Sequence, residues 1–179
     1  MPQSVRRLEL SEACKLVRVN RSTSSGLADM AREFEDARDH RMKLAFEDPD
    51  AFFAHIERFE SGIDLPPNRV RQTQFWLLSG DRMIGASRLR HRLIPFLERD
   101  GGHIAYEIRP SERRKGFGSG ILRLTLREAA SAGIRRVLLT TEPTNLGSIG
   151  VILNNGGCFE DTSVSPESGK RLNRYWIEV

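Results

Sequence analysis

The stretch RPSERRKGFGSG, residues 109–120, sets three consecutive cations against three alternating glycines. Such residues in this order suit the holding of an anion. Glycine has no Cβ, so a ligand can come close to the peptide N–H groups. Arg113, Arg114 and Lys115 put formal positive charge beside them. Gly116, Gly118 and Gly120 stand where a strand gives way to a helix. A helix start exposes unpaired amides and the positive end of its dipole. The plainer reading is a capped helix behind solvated cations. Two familiar phosphate loops fail on spacing. No Gly-Lys-Ser or Gly-Lys-Thr occurs, which removes the G-x-x-x-x-G-K-[ST] loop. The dinucleotide pattern G-x-G-x-x-G matches Gly116 and Gly118 and then meets Ile121.

The elements that would position this loop follow from periodicity. LVRVN (16–20) alternates and predicts a first strand. SSGLADMAREFEDA (24–37) predicts a helix with Leu27, Met30 and Phe34 on one face and Ser24 or Ser25 as cap. DPDAFFAHIERF (48–59) predicts a second, started by Asp48 or Asp50. TQFWLL (73–78) and RMIGASRLRHRL (82–93) form a hairpin across SGD, and HIAYEI (103–108) is a further strand that Pro110 ends. FGSGILRLTLREAASAG (117–133) predicts a helix stopped at Gly133. RVLLTT (136–141) reads as a strand covered on both faces. NLGSIGVILNN (145–155) is a short helix, and CFEDTSV with RYWIEV forms a last hairpin. Strand–helix–strand at 103–141 implies a parallel pair with a right-handed crossover. The fold class is therefore mixed α/β, a single domain over 1–179, with 1–14 as an N-terminal extension.

Composition narrows the partners. There are 28 Lys and Arg against 24 Asp and Glu, a net charge of +4. That excess suits neutralising a few phosphates and argues against nucleic acid as the main partner. Cys14 and Cys158 are far apart and offer neither a disulfide framework nor a metal-ligand spacing, so no metal is expected. No run approaches the roughly 20 apolar residues of a membrane span, and the start has no signal-peptide run. A cytoplasmic protein without a membrane partner is the expectation.

The segment I-R-P-S-E-R-R-K-G-F-G resembles the acyl-CoA signature of the GNAT superfamily of N-acetyltransferases: Ile108, Pro110, Arg113, Gly116 and Gly118 match it. N-L-G-S-I-G-V-I-L-N-N-G-G (145–157) is similar to the superfamily's N-x-x-[SA] helix, and with GGHIAYEIRPSERRKGFG and RYWIEV it resembles a bacterial branch of unassigned substrate. The likeness is strong from about 73 to 179 and weak over 1–70. It implies a mostly antiparallel sheet with a splayed parallel central strand pair and flanking helices. It implies acetyl-CoA as cosubstrate, with the pyrophosphate on amides of about Arg114 to Ser119, including Lys115, Gly116, Phe117 and Gly118. The pantetheine arm would pair with the backbone of Glu107, Ile108 and Arg109. Ile108 N–H would face the thioester carbonyl. Asn145 and Ser148 would lie along the cofactor, although Asn145 also reads as a helix cap and Ser148 as helix packing.

Direct transfer to a primary amine in a ternary complex needs a base, because the amine arrives protonated. His103 and Glu107 are the candidates. They share a strand face about 13 Å apart at ~3.3 Å per residue, so they cannot both touch one proton. Each also has a plain reading, a sheet histidine and an ion-paired glutamate. The tyrosine that returns a proton to the thiolate in many members falls here on Ile152. Ser148, water, Tyr106 or Tyr175 would have to replace it. That departure also supports an alternative, a catalytically weak or inactive CoA-binding sensor or interaction module. Glu33, Glu35, Asp36, Asp39, Glu47, Asp48 and Asp50 could attract a cationic acceptor or merely be solvated. RYWIEV offers a strand through which a homodimer could form.

Overall fold

A computed structural model describes residues 14–38 and 42–179. Two sheets meet edge to edge. The first has four strands in the order β1-β2-β3-β4, comprising β1 (Cys14–Arg18), β2 (Gln72–Ser79), β3 (Arg82–Arg90) and β4 (Ile104–Ile108), each antiparallel to its neighbour. The second has the order β5-β7-β6, comprising β5 (Arg136–Thr141), β6 (Cys158–Val164) and β7 (Arg171–Glu178). This is the mixed α/β architecture expected, mostly antiparallel. The central pair, β4 and β5, shares no ladder, because each is the edge of its own sheet. They touch at one end only, where His103 N–H donates to Leu138 O at 2.7 Å.

Helices cover both faces of the first sheet. On one lie α1 (Leu27–Asp36), α2 (Lys43–Glu47) and α3 (Pro49–Ser61). Their apolar stripes pack Met30, Phe34, Phe52 and Ile56 against Trp76, Met83 and Ala86. On the other lies α5 (Phe117–Ser131), whose Leu122 and Leu126 meet Phe75, Leu89 and Ile104. Alternate strand residues thus serve opposite cores, Trp76 one and Phe75 the other. A short α4 (Pro95–Arg99) precedes β4, and α6 (Leu146–Leu153) follows β5.

Several boundaries differ from expectation for local reasons. β1 spans Cys14–Arg18 and not 16–20; Asn20 instead caps a single 3-10 turn at Arg21–Thr23. The proposed extension 1–14 lies outside the described residues except Cys14, which opens β1. Ser24 does not cap α1; its Oγ accepts from Trp76 Nε1 at 3.0 Å. Asp48 does cap α3, accepting from Ala51 N–H. β3 ends at Arg90 because the chain must turn into Pro95, which starts α4. α2 and α4, five residues each, are too short to leave a periodic pattern.

Candidate functional site

The phase of the β3–β4 ladder decides which amides face outward. Arg90 N–H donates to His103 O and Arg109 N–H donates to Ile84 O. In an antiparallel pair, opposed residues alternate between exchanging hydrogen bonds and not. Residues 105, 107 and 109 therefore turn their backbone toward β3, and His103 gives it only its C=O, its N–H going to Leu138 O. Ile104, Tyr106 and Ile108 turn their N–H and C=O toward the unpaired edge that faces β5. Ile108 O accepts from Arg113 Nε at 3.0 Å, which leaves the Ile108 N–H as the donor at the wide end of the gap. Such an edge accepts an extended, amide-bearing chain as an added strand.

The gap opens onto the glycine loop. A 3-10 turn at Pro110–Glu112 leads to Arg114 at φ 65° and Gly116 at φ 95°. The positive φ is why position 116 takes glycine. Gly116 starts α5 without any side-chain cap. Ser119 and Gly120 N–H bond back to Gly116 O, so the Ser119 amide expected on a ligand is spent within the turn. Among the described residues the N–H groups of Arg114 through Gly118 meet no protein acceptor. A run of bare amides at a helix start is an anion site. The side chains contribute less than expected. Lys115 pairs with Glu112, Arg113 lies over the Phe34 ring at 5.5 Å, and Phe117 is buried against Ile108 and Ile121. A Cβ on Gly118 would stand 3.0 Å from Val151 Cγ2, so this glycine also lets α5 and α6 approach.

Arg109 is a correction. Expected to lend its backbone to the pantetheine arm, it spends its N–H on Ile84 O and its C=O on Glu112 N–H, and its side chain, 5% exposed, turns to the other face. Its guanidinium donates to Glu33 through Nε and Nη2 and to Met83 O through Nη1. Glu33 also accepts from Ser111 N–H. Burial would raise the Glu33 pKa, but the bonds from Arg109 and Ser111 and the Arg109 charge outweigh it and hold it down at about 2. This knot ties α1 to the start of the glycine loop. Part of the acidic cluster is engaged within the protein: Glu33 serves Arg109, Glu47 pairs with Lys43, Asp48 caps α3, and Asp50 pairs with Arg21, while Asp36 stays exposed. Asp39 lies outside the described residues.

His103 seals the closed end of the gap. Its Nδ1 accepts from Leu138 N–H at 2.9 Å, so the neutral ring carries its proton on Nε2. Burial, then the nearby Arg90 charge, pushes its pKa down to about 4. Glu107 is 8% exposed, opposite Ala86 and facing the α1–α3 side. Asn145 caps α6, its Oδ1 accepting from Ser148 N–H, and its amide nitrogen is left at the surface. Ser148 Oγ lies 3.0 Å from Tyr106 Oη across the gap. Burial pushes the Tyr106 pKa up to about 12, against a smaller lowering by Ser148. Ile152 is 1% exposed within the core, and Tyr175 is buried there too, its Oη accepting from Asn173. Asn155 was missed: its Nδ2 donates to Val151 O and Ser119 O, joining α6 to the first turn of α5. Its place in NNGG was the only signal.

A wedge between two sheets, bordered by a free strand edge and closed by a bare helix start, defines a mixed α/β class with a cleft suited to an extended, anionic ligand. The sequence model of the acetyltransferase (GNAT) family matches residues 29–156, more than half of the chain, and the chain belongs to that family. No curated protein matches it. Among solved structures, RimL, a ribosomal L7/L12 alpha-N-protein acetyltransferase in complex with coenzyme A, aligns at TM-score 0.70 and 15% identity over 95% of this chain and 96% of that one. RimJ of Mycobacterium smegmatis with a CoA disulfide aligns at 0.70 and 14%, over 93% and 82%. YncA, a putative acetyltransferase of Salmonella typhimurium with acetyl-CoA, aligns at 0.64 and 14%, over 93% and 94%. At these identities the likeness shows the shared fold. Among the described residues no cluster of His, Cys, Asp or Glu suits a metal, and no helix is long and apolar enough to cross a membrane.

Proposed function

We propose that the chain is an N-acetyltransferase that uses acetyl-CoA and acetylates a primary amine. The observation that carries this reading is the pairing of two unmet donor sets, the Ile108 N–H on the open edge of β4 and the Arg114–Gly118 amides at the start of α5. Together they fit a ligand with a diphosphate at one end and amides along its length. Bound acetyl-CoA would supply an acetyl thioester, an electrophile for the amine. The bare amides and Arg114 hold the diphosphate, and the free Asn145 amide nitrogen is a further donor beside it. Ile108 N–H stabilises developing negative charge on the carbonyl oxygen, where loss of a donor costs roughly 3 kcal/mol.

Glu107 is the better base. The single acceptor nitrogen of His103 is occupied by Leu138 and its basicity is depressed, so it serves as a clamp between the sheets. The proton for the leaving sulfur comes from Tyr106 Oη, relayed by Ser148 Oγ. Burial pushes the Tyr106 pKa up to about 12, so the hydroxyl is a weak donor that delivers its proton only as the thiolate departs and regains one from solvent, through Ser148, before the next turnover. This pair stands where Ile152 offers no proton, which favours the catalytic reading over a non-catalytic binding module. Calorimetric titration with acetyl-CoA, followed by a thiol-release assay on an amine panel, tests the reading. Binding with release is expected; no binding would overturn it, and binding without release to any amine would restore the sensor alternative.

A further inference from the structure

The sheet face beneath α1–α3 carries a cluster that the acyl-donor wedge does not use. Arg88 stands on β3 opposite Ala105 and diagonal to Glu107. It shares that face with Ala86, two residues back, which packs under the first helices. Arg88 Nε is buried with no hydrogen-bond partner, and no carboxylate pairs with Arg88 among the described residues. A buried guanidinium nitrogen without an acceptor is costly, and such a group calls for an explanation by function. The charges beside it do not help. His55 on α3 has its pKa lowered by burial and then by Arg88 and Arg58, so the surroundings are cationic. Arg58 has no carboxylate partner among the described residues either; it donates to Asp64 O. Ala105, small and on the edge strand β4, is partly exposed, so its side chain does not fill the floor between Arg88 and Glu107.

Glu33, Glu47, Asp48 and Asp50 already have partners within the protein, and an unmet cation stands on the face of the base. We propose that Arg88 holds the carboxylate of a small amino-acid-like acceptor whose amine then faces Glu107 and the Ile108 amide. This rests on the acyl-transfer reading above. Arg88 and Glu107 are diagonal neighbours, about 7–8 Å apart at the sheet, a span one small zwitterion bridges.

The test uses the full chain with acetyl-CoA and two matched acceptor series, amino acids and their decarboxylated amines, with spermidine as a cationic control. Transfer to the amino acids is expected to exceed that to their partners at least about tenfold, as a charge-assisted hydrogen bond gives. Arg88→Gln is expected to erase the difference by raising KM for the amino acids. Arg88→Met should melt no lower than the parent, because it removes an unmet buried nitrogen, so the lost preference is not lost folding. Equal transfer to both series, preference for the decarboxylated amines or spermidine, or transfer to neither while acetyl-CoA binds would overturn the proposal and leave the donor site standing. Failure to bind acetyl-CoA at all would instead overturn the acyl-transfer reading, and this one with it.

Discussion

Two side chains on β4 have been given opposite duties, and substitution separates them. Tyr106→Phe removes the proton held 3.0 Å from Ser148 Oγ and is expected to lower kcat by about ten- to a hundredfold, with acetyl-CoA binding retained. Because burial keeps that hydroxyl protonated to about pH 12, the parent should show no alkaline fall in kcat from this group below about pH 10. His103→Ala strands the Leu138 N–H and should cost about 1–3 kcal/mol in urea unfolding. His103→Asn, whose Oδ1 can take the place of Nδ1, should recover most of that and keep activity; a dead but stable Asn variant would make His103 the base. The clamp also has a pH signature. Its pKa is about 4 folded against an ordinary 6.5, so the unfolded chain takes up the proton first as pH falls. Stability present above pH 6.5 should decline toward pH 4, by roughly 2 kcal/mol after allowance for solvent screening. The two duties were half legible in the sequence. Alternation put His103 and Glu107 on one face and Tyr106 on the other, but Leu138 is 35 residues from His103 and Ser148 is 42 from Tyr106, and no local pattern reports such meetings.

At the scale of elements, the seam between β4 and β5 depends on close backbone approach. Gly102 has φ 58°, and a Cβ there would stand 2.3 Å from Leu138 O. Gly102→Ala must push the two sheets apart at this seam and is expected to cost about 3 kcal/mol or more in unfolding free energy. The Glu33–Arg109 knot is the second joint. Glu33→Ala leaves the Arg109 charge buried without its partner and should cost about 3 kcal/mol, while loosening the loop that begins at Ser111. Arg109 shows why the site was only partly readable. The resemblance assigns it by its backbone to the pantetheine arm and says nothing of its side chain, whose partner lies 76 residues earlier on α1. Long elements such as α5 and β2 declared themselves by period. The five-residue helices did not, and the ladder phase that frees Ile108 N–H requires knowing the partner strand.

Over the whole molecule, the donor site belongs to both sheets at once, so its ligand should act as a brace. At a hundred times its Kd, acetyl-CoA should add ~2.7 kcal/mol, or roughly 5–10 °C in Tm for a chain of this size. What the sequence conveyed at this scale was the order of elements and the family resemblance, which together announced a wedge. What it concealed was the pairing of the acidic residues of the first helices, since Glu47 and Asp50 look free until Lys43 and Arg21 are seen beside them. The measurement that bears most directly on the central claim is amide hydrogen exchange, with and without acetyl-CoA. The N–H groups of Ile108 and of Arg114 through Gly118 should exchange fast in the free protein and become protected together when the ligand is added. Slow exchange of these amides in the free protein, or protection that appears elsewhere and spares them, would contradict the account.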